Sequence, residues 1–212
     1  MNNSISIWKK IIKWTGAFIL AAYIVLVIVR IPVMREKNKT DEAVTKIHAT
    51  KLTMDDVLGK NLPPVYAEGS GVVRPDYNAT VAGIDGNNNG IRDDVELAIF
   101  KAYPNSAKTR AVLLQYALAL QMEMIQPIVN TETVTAVAED EGRAYYCVGE
   151  LTSRVDMNKF TETGDKLHGF IERLQFNTEF RKKSQKDFFD GHLSSYSTPN
   201  ESCDLDLSKL SG

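Results

Sequence analysis

The chain has 212 residues, 43% of them hydrophobic and 25% charged, which suits one ordinary domain plus an apolar appendage and leaves too little length for several domains. The net charge of −2 hides an asymmetry: residues 1–40 carry seven Lys/Arg against Glu36 alone, so the remainder holds 18 basic and 26 acidic side chains, a balance of −8. A segment of that sign repels a phosphate backbone, and no Lys/Arg stripe with interleaved aromatics offsets it, so nucleic acid is excluded as an expected partner.

Trp14 to Val29 is an uncharged run of 16 residues, and extended through Arg30 to Met34 it approaches the roughly 20 residues that a bilayer core requires. Arg30 can snorkel to the headgroups, and Trp8, Trp14 and Tyr23 are the amphipathic aromatics of a membrane boundary, with Tyr23 deeper. Residues 14–34 are therefore expected to span a bilayer as a signal-anchor, with 1–13 cytoplasmic. A cleaved signal peptide shares the basic start at Lys9, Lys10 and Lys13, but Arg30-Ile-Pro-Val-Met34 contains no small-x-small cleavage site. Arg30, Arg35, Lys37 and Lys39 nearly balance the lysines before the run, so charge alone leaves the orientation open.

Residues 35–59 are expected to be a juxtamembrane stalk, helical from Asp41, with a short helix at Thr53-Met-Asp-Asp56 set by capping-box spacing and ended by Gly59. From Lys60 to Gly83, Pro63, Pro64, Pro75 and three glycines interrupt any period, which predicts a surface loop. Helix is then expected from Asp93 to Tyr103, and Ser106 caps a strongly apolar segment with Val112, Leu113, Tyr116, Ala117, Leu120 and Met124 on one face. Further helices are predicted from Asn130 or Thr131 to Leu151, from a box at Ser153-Arg-Val-Asp156 through Leu174, and from Thr178 to Phe189, before an irregular tail. Two-residue alternation is scarce and nothing repeats at 20–50 residues, so residues 60–212 are expected to form an all-α, bundle-like domain.

The most specific pattern is Asp85-Gly-Asn-Asn-Asn-Gly-Ile-Arg-Asp-Asp-Val-Glu96. Oxygen-bearing side chains stand at loop positions 1 (Asp85), 3 (Asn87), 5 (Asn89), 9 (Asp93) and 12 (Glu96), with Gly90 at position 6. Calcium takes six to eight oxygens at ~2.3–2.6 Å, so alternate side chains of a tight turn point inward and the glycine permits the bend that aims the Ile91 carbonyl at the ion. Glu96, one turn into the next helix, can close the sphere with both carboxylate oxygens; Asp93 can bind directly or through water. A Gly/Asn turn that merely caps the next helix accounts for the composition but not for oxygens at all five spaced positions.

Over residues 83–96 this pattern resembles the EF-hand loop, and more closely the solitary loops of thrombospondin type 3 repeats and similar bacterial exported proteins. The resemblance implies a Ca2+ site held by Asp85, Asn87, Asn89, Ile91, Asp93 and Glu96, and says nothing of the overall fold. EF-hands carry an aliphatic at position 8 for pairing with a second loop; here position 8 is Arg92, so a paired sensor is not implied. Three carboxylates and two amides predict affinity in the ~10⁻⁴–10⁻³ M range of extracellular modules.

Cys147 and Cys203 are the only cysteines, and an even pair on the exported side of a membrane favours a disulfide; the alternative is a buried Cys147 and a free Cys203. His168 and Glu172 stand four apart on a predicted helix, and Asp187, Asp190 and His192 crowd the run DFFDGH; with His48 these complete the imidazoles, and solvated helix faces account for them more simply than a metal or a reaction does. No G-x-S-x-G, Walker, dinucleotide or H-E-x-x-H motif occurs. The expected function is a calcium-stabilised interaction module, tethered by 14–34 to the inner membrane, its domain periplasmic and binding an envelope partner. Two alternatives stay open: an envelope hydrolase using Glu172, Asp187 or Asp190 with His192, and a tethered structural subunit whose apolar helix at 107–125 packs against a partner.

Overall fold

A computed structural model describes residues 2–66, 75–152, 155–197 and 201–212. These form seven α-helices and two 3-10 turns, with no strand among the described residues: the fold is all-α. The helices are α1 (Asn2–Ala49), α2 (Met54–Leu58), α3 (Asp93–Ala102), α4 (Ala107–Ile125), α5 (Thr131–Val148), α6 (Met157–Gln175) and α7 (Glu179–Phe189). The chain divides into two compact units, Met1–Glu42 and Ala43–Gly212.

The first unit holds most of α1. Among the described residues this is the one helix long and apolar enough to cross a bilayer. Its apolar side chains from Phe18 to Met34 are all exposed, and Pro32 sits inside it. Proline removes one ladder donor and crowds the carbonyl four residues earlier, a defect that apolar spanning helices tolerate.

Helix α1 does not stop at Met34. Residues 35–49 contain no glycine or proline, so nothing breaks the hydrogen-bond ladder before Thr50, whose N–H closes onto Lys46 and Ile47. Residues 43–59 of the expected stalk belong to the second unit, with Ile47, Leu52 and Val57 all buried in its core.

In the second unit α4 is the centre, wrapped by α2, α3, α5, α6 and α7. The single apolar face expected of it is too narrow a description, because Gln115, Gln121 and Glu123 on its other sides are buried as well. A helix covered all round is a core helix. The apolar surface on which the tethered-subunit alternative relied is thus occupied inside the domain. A second cluster, Ile47, Met122, Val134, Ala136, Val137 and Phe188, seats the last turns of α1.

The helix starts follow local chemistry. Thr53 and Asp56 form the expected capping box of α2, and Gly59 ends it in the left-handed region at φ 71°. Ser106, Asn130, Asp156 and Thr178 each accept an N–H from the first turn of α4, α5, α6 and α7. Ser153, half of the box expected before α6, lies outside the described residues, as do 67–74 of the expected surface loop.

The irregular tail is pinned rather than loose. Cys203 is disulfide-bonded to the fully buried Cys147 of α5, with Cα atoms 4.9 Å apart. Next to it, Asp204 accepts from Leu52 N–H at 3.0 Å and pairs with Arg143 at 2.5 Å. Gln115 donates to the Ser202 carbonyl at 2.8 Å and accepts from Asp204 N–H at 2.9 Å. Closing a loop of 56 residues by the disulfide removes about 4 kcal/mol of unfolded-chain entropy. Replacing Cys147 and Cys203 by Ser is expected to lower unfolding free energy by about that amount, read as a lower denaturation midpoint in the double variant; an unchanged midpoint would show that the tail contributes nothing to the fold.

Candidate metal centre

The loop Asp85–Glu96 is wound on its own side chains. Ile84 carbonyl accepts from Asp93 N–H at 2.8 Å, which brings the two ends of the loop together. Asp85 accepts Asn89 N–H at 3.2 Å on Oδ1 and Gly90 N–H at 2.8 Å on Oδ2. Asn87 Oδ1 accepts the Asn89 N–H at 3.3 Å, Asn89 Oδ1 accepts Ile91 N–H at 2.9 Å, and Asp93 Oδ1 accepts Gly86 N–H at 2.8 Å. The coil needs two left-handed residues, Asn88 at φ 58° and Gly90 at φ 85°. A Cβ on Gly90 would also come within 2.6 Å of Leu118 Cδ1, so both conformation and packing require glycine there.

Glu96 comes from the first turn of α3 and is 1% exposed. Its Oε1 accepts from Asn89 Nδ2 at 3.2 Å and its Oε2 from Asn87 Nδ2 at 3.0 Å. Burial pushes its carboxyl up to about 7; the charges of Asp56 and Asp93 add to the rise, and the two amide hydrogen bonds oppose it. Asp93 is likewise raised by burial, against the Gly86 hydrogen bond and with Asp85 and Asp94 adding like charge.

Sequence reasoning missed Asp56. Its Oδ2 serves the α2 capping box, accepting from Thr53 N–H at 2.9 Å, while Oδ1 lies 3.4 Å from Asn89 Nδ2. A buried carboxylate from a different helix therefore faces the loop. The capping-box spacing marked Asp56 only as a cap, and nothing in it linked residue 56 to residue 89.

Chemically, the donor set is hard oxygen: Asp85, Asp93, Glu96 and Asp56 carboxylates with the Asn87 and Asn89 amides. Among the described residues no three Asp, Glu, His or Cys side chains converge closely enough to share one ion by themselves. Asn87 and Asn89 stand between the acids, and a half-turn of an amide about its last torsion exchanges its nitrogen for its oxygen. The residues fit an oxygen-seeking divalent cation. Ile91 buries its side chain completely.

The departure at position 8 has a structural reason. Arg92 is fully buried and donates to the Leu174 carbonyl at 3.0 Å and the Gln175 carbonyl at 3.2 Å, the last of α6, while pairing with Asp94 at 2.8 Å. An aliphatic at this place would serve a second loop; the guanidinium instead ties this one to a helix C-terminus, whose free carbonyls favour a cation.

The other candidates fall in three places. His168 stacks on Tyr145 with ring centroids 3.8 Å apart and stands 3.2 Å from the Tyr145 carbonyl; burial lowers its pKa. Glu172 accepts from Tyr116 Oη at 3.0 Å. Asp187 pairs with Lys183 on the surface, Asp190 caps the end of α7, and His192 N–H bonds the Phe189 carbonyl. His48 lies 3.4 Å from Asp140 and 3.7 Å from Glu139. His168 and Glu172 thus meet at Tyr116, whose ring lies 4.9 Å from the imidazole, whereas Asp187, Asp190 and His192 stand at the end of α7 and His48 at the end of α1.

No family model, curated protein or solved structure matches the chain.

Two outcomes follow from the buried charges. Arg92→Met leaves the α6 carbonyls and Asp94 unanswered and is expected to cost about 3–5 kcal/mol, measured by denaturant titration. Glu123 is 2% exposed, and burial pushes it up to about 8, with Glu141 and Glu172 adding like charge and the Gln185 hydrogen bond opposing. Its folded pKa lies above the unfolded value, so the native state holds a proton that the unfolded chain releases. That stabilisation is complete at acid pH and falls by about 1.4 kcal/mol per pH unit as the pH rises towards 8. Glu123→Gln is expected to flatten the slope and raise stability at pH 8; an identical pH profile in both proteins would show that Glu123 is ionised in the fold.

Proposed function

We propose that this chain is a membrane-anchored helical module stabilised by calcium, with residues 14–34 in the inner membrane and the domain on its exported, periplasmic side, where its helical surface binds an envelope protein. The observation that carries the reading is the loop itself. Five oxygen side chains at positions 1, 3, 5, 9 and 12 belong to a turn coiled through left-handed Asn88 and Gly90, and it closes on a carboxylate that is 1% exposed.

A divalent cation at this place would be held by Asp85, Asn87, Asn89, Asp93 and Glu96, with the Ile91 carbonyl and with Asp56 adjoining. It would supply the positive charge that the buried acids lack. Its role is structural: it fixes the angle between the segment 75–84 and α3, and it draws α2 against the loop through Asp56. Arg92 is committed to α6 and, among the described residues, no second loop pairs with this one, so the ion would act as a structural tie and not as a switch. Export agrees with this chemistry, since a site of ~10⁻⁴–10⁻³ M affinity fills outside the cytosol and the Cys147–Cys203 bond persists in an oxidising compartment.

Calorimetric calcium titration of the full chain in detergent, beside an Asp85→Asn, Glu96→Gln double variant, tests the proposal. Binding is expected for the wild type alone, with about 2.7 kcal/mol of added stability at a hundredfold excess of calcium over Kd. Equal heats from both proteins, or none at millimolar calcium, would remove the site; binding without stabilisation would remove its structural role. Protease access to the domain in spheroplasts reads the orientation.

A further inference from the structure

The connection between α4 and α5, Ile125-Gln-Pro-Ile-Val-Asn130, has a composition opposite to that of an ordinary surface turn. No Asp, Glu, Lys or Arg occurs between Met124 and Thr131, and Ile125, Ile128 and Val129 are 42%, 42% and 41% exposed, with Pro127 exposed beside them. Turns in water are built from Gly, Asn, Asp and Ser because those side chains are solvated and bond their own backbone. A compact tip of four apolar residues costs hydration free energy unless something covers it.

Val44 and Ile47, where the chain joins the second unit, pack in the cluster formed by Met122 at the end of α4 and by Val134 and Val137 at the start of α5. The joining point and the apolar tip thus belong to the same end of this unit. Only residues 35–42 separate Ala43 from the apolar run, about 29 Å of chain even if fully extended. The opposite end is polar: the C-terminal segment, with Lys209 and Ser211 exposed, bonds Lys108 N–H at the start of α4 through Ser211, a helix length of about 28 Å from the tip.

We propose that Ile125, Pro127, Ile128 and Val129 form a second membrane contact, inserted into the headgroup–acyl boundary of the bilayer that holds the anchor. The inference rests on the anchored reading above. Shallow insertion of a few apolar side chains is weak alone and becomes effective next to a first attachment, because the tether keeps the tip at high local concentration.

The test uses the full chain, which holds no free thiol beside the Cys147–Cys203 bond. Ile24→Cys, Ile128→Cys and Lys209→Cys variants, each carrying bimane, are reconstituted into phosphatidylcholine–phosphatidylglycerol vesicles containing chain-brominated lipid. Quenching is expected at 24 and 128 and absent at 209. An Ile125→Cys label in an Ile128→Asp, Val129→Asp background should lose its quenching while the melting temperature stays unchanged. Quenching at 24 with position 128 as bright as 209, or an Ile125→Cys label indifferent to the two aspartates, overturns the second contact and leaves the anchor standing. A bright label at 24 removes the anchor, and the second contact with it.

Discussion

The Glu96 carboxylate sets the terms for everything around it. At 1% exposure it has lost its hydration, and an ionised group removed from water must be answered by donors, by a counter-charge or by a proton. Two amides, Asn87 and Asn89, supply the donors, and both can reach it only because Asn88 and Gly90 take left-handed conformations. The α3 N-terminus adds its dipole, which favours acids in the first turn, where Asp93, Asp94 and Glu96 all stand. The loop, the start of α3 and the position of α2 through Asp56 are consequences of one buried acid. The cation proposed above would add positive charge where the amides offer only dipoles.

Three of the four buried arginines do the comparable work for the backbone, each answering two or more carbonyls. Arg92 collects the last carbonyls of α6; Arg110 collects those of Val57, Tyr103 and Pro104; Arg181 collects those of Tyr77, Thr80 and Val81. Irregular chain cannot be packed against a core unless its carbonyls find donors, and a guanidinium offers five in a fixed fork. In a fold whose described residues include no sheet, these side chains take the place of a ladder. They also explain how the segment 75–84 lies against α4 and α7 without secondary structure of its own.

Much of the helical order was legible because it is local. Ser106, Asn130, Thr178 and the Thr53–Asp56 box act within one turn, and each marks the start of the helix it was expected to start. The spaced oxygens from Asp85 to Glu96 were legible for the same reason, since a twelve-residue turn folds on itself. What was not legible involves partners far apart in the chain. Nothing in the sequence marks Arg110 or Arg181, and Arg92 stands out only as a departure at loop position 8, because their carbonyl partners lie up to 104 residues away. Asp56 read as a cap and serves also as a neighbour of residue 89. The end of α1 read as stalk because Val44 and Ile47 look sparse among Lys, Thr and Glu, and only the groove between α4, α5 and α7 makes them core.

The same distinction separates the two ways this domain is held together. At and just after the end of α1, His48 and Leu52 join Asp140, Arg143 and Asp204 in one network of charges and hydrogen bonds beside the Cys147–Cys203 bond, so the end of α1 and the C-terminal segment are both secured to the later half of α5. The loop 85–96 is secured elsewhere, to α6 by Arg92 and to α2 by Asp56. Helix α2 follows α1 after Thr50–Thr53 and touches α4 as well as the loop, so it links the two assemblies. Five residues are too few to hold a helix by propensity, and α2 persists through its cap, Val57 in the core and Asp56 at the loop. A change in charge at Glu96 is therefore met first at α2, through Asn89 and Asp56, and reaches the disulfide-bonded side only through Leu52, whose N–H bonds Asp204.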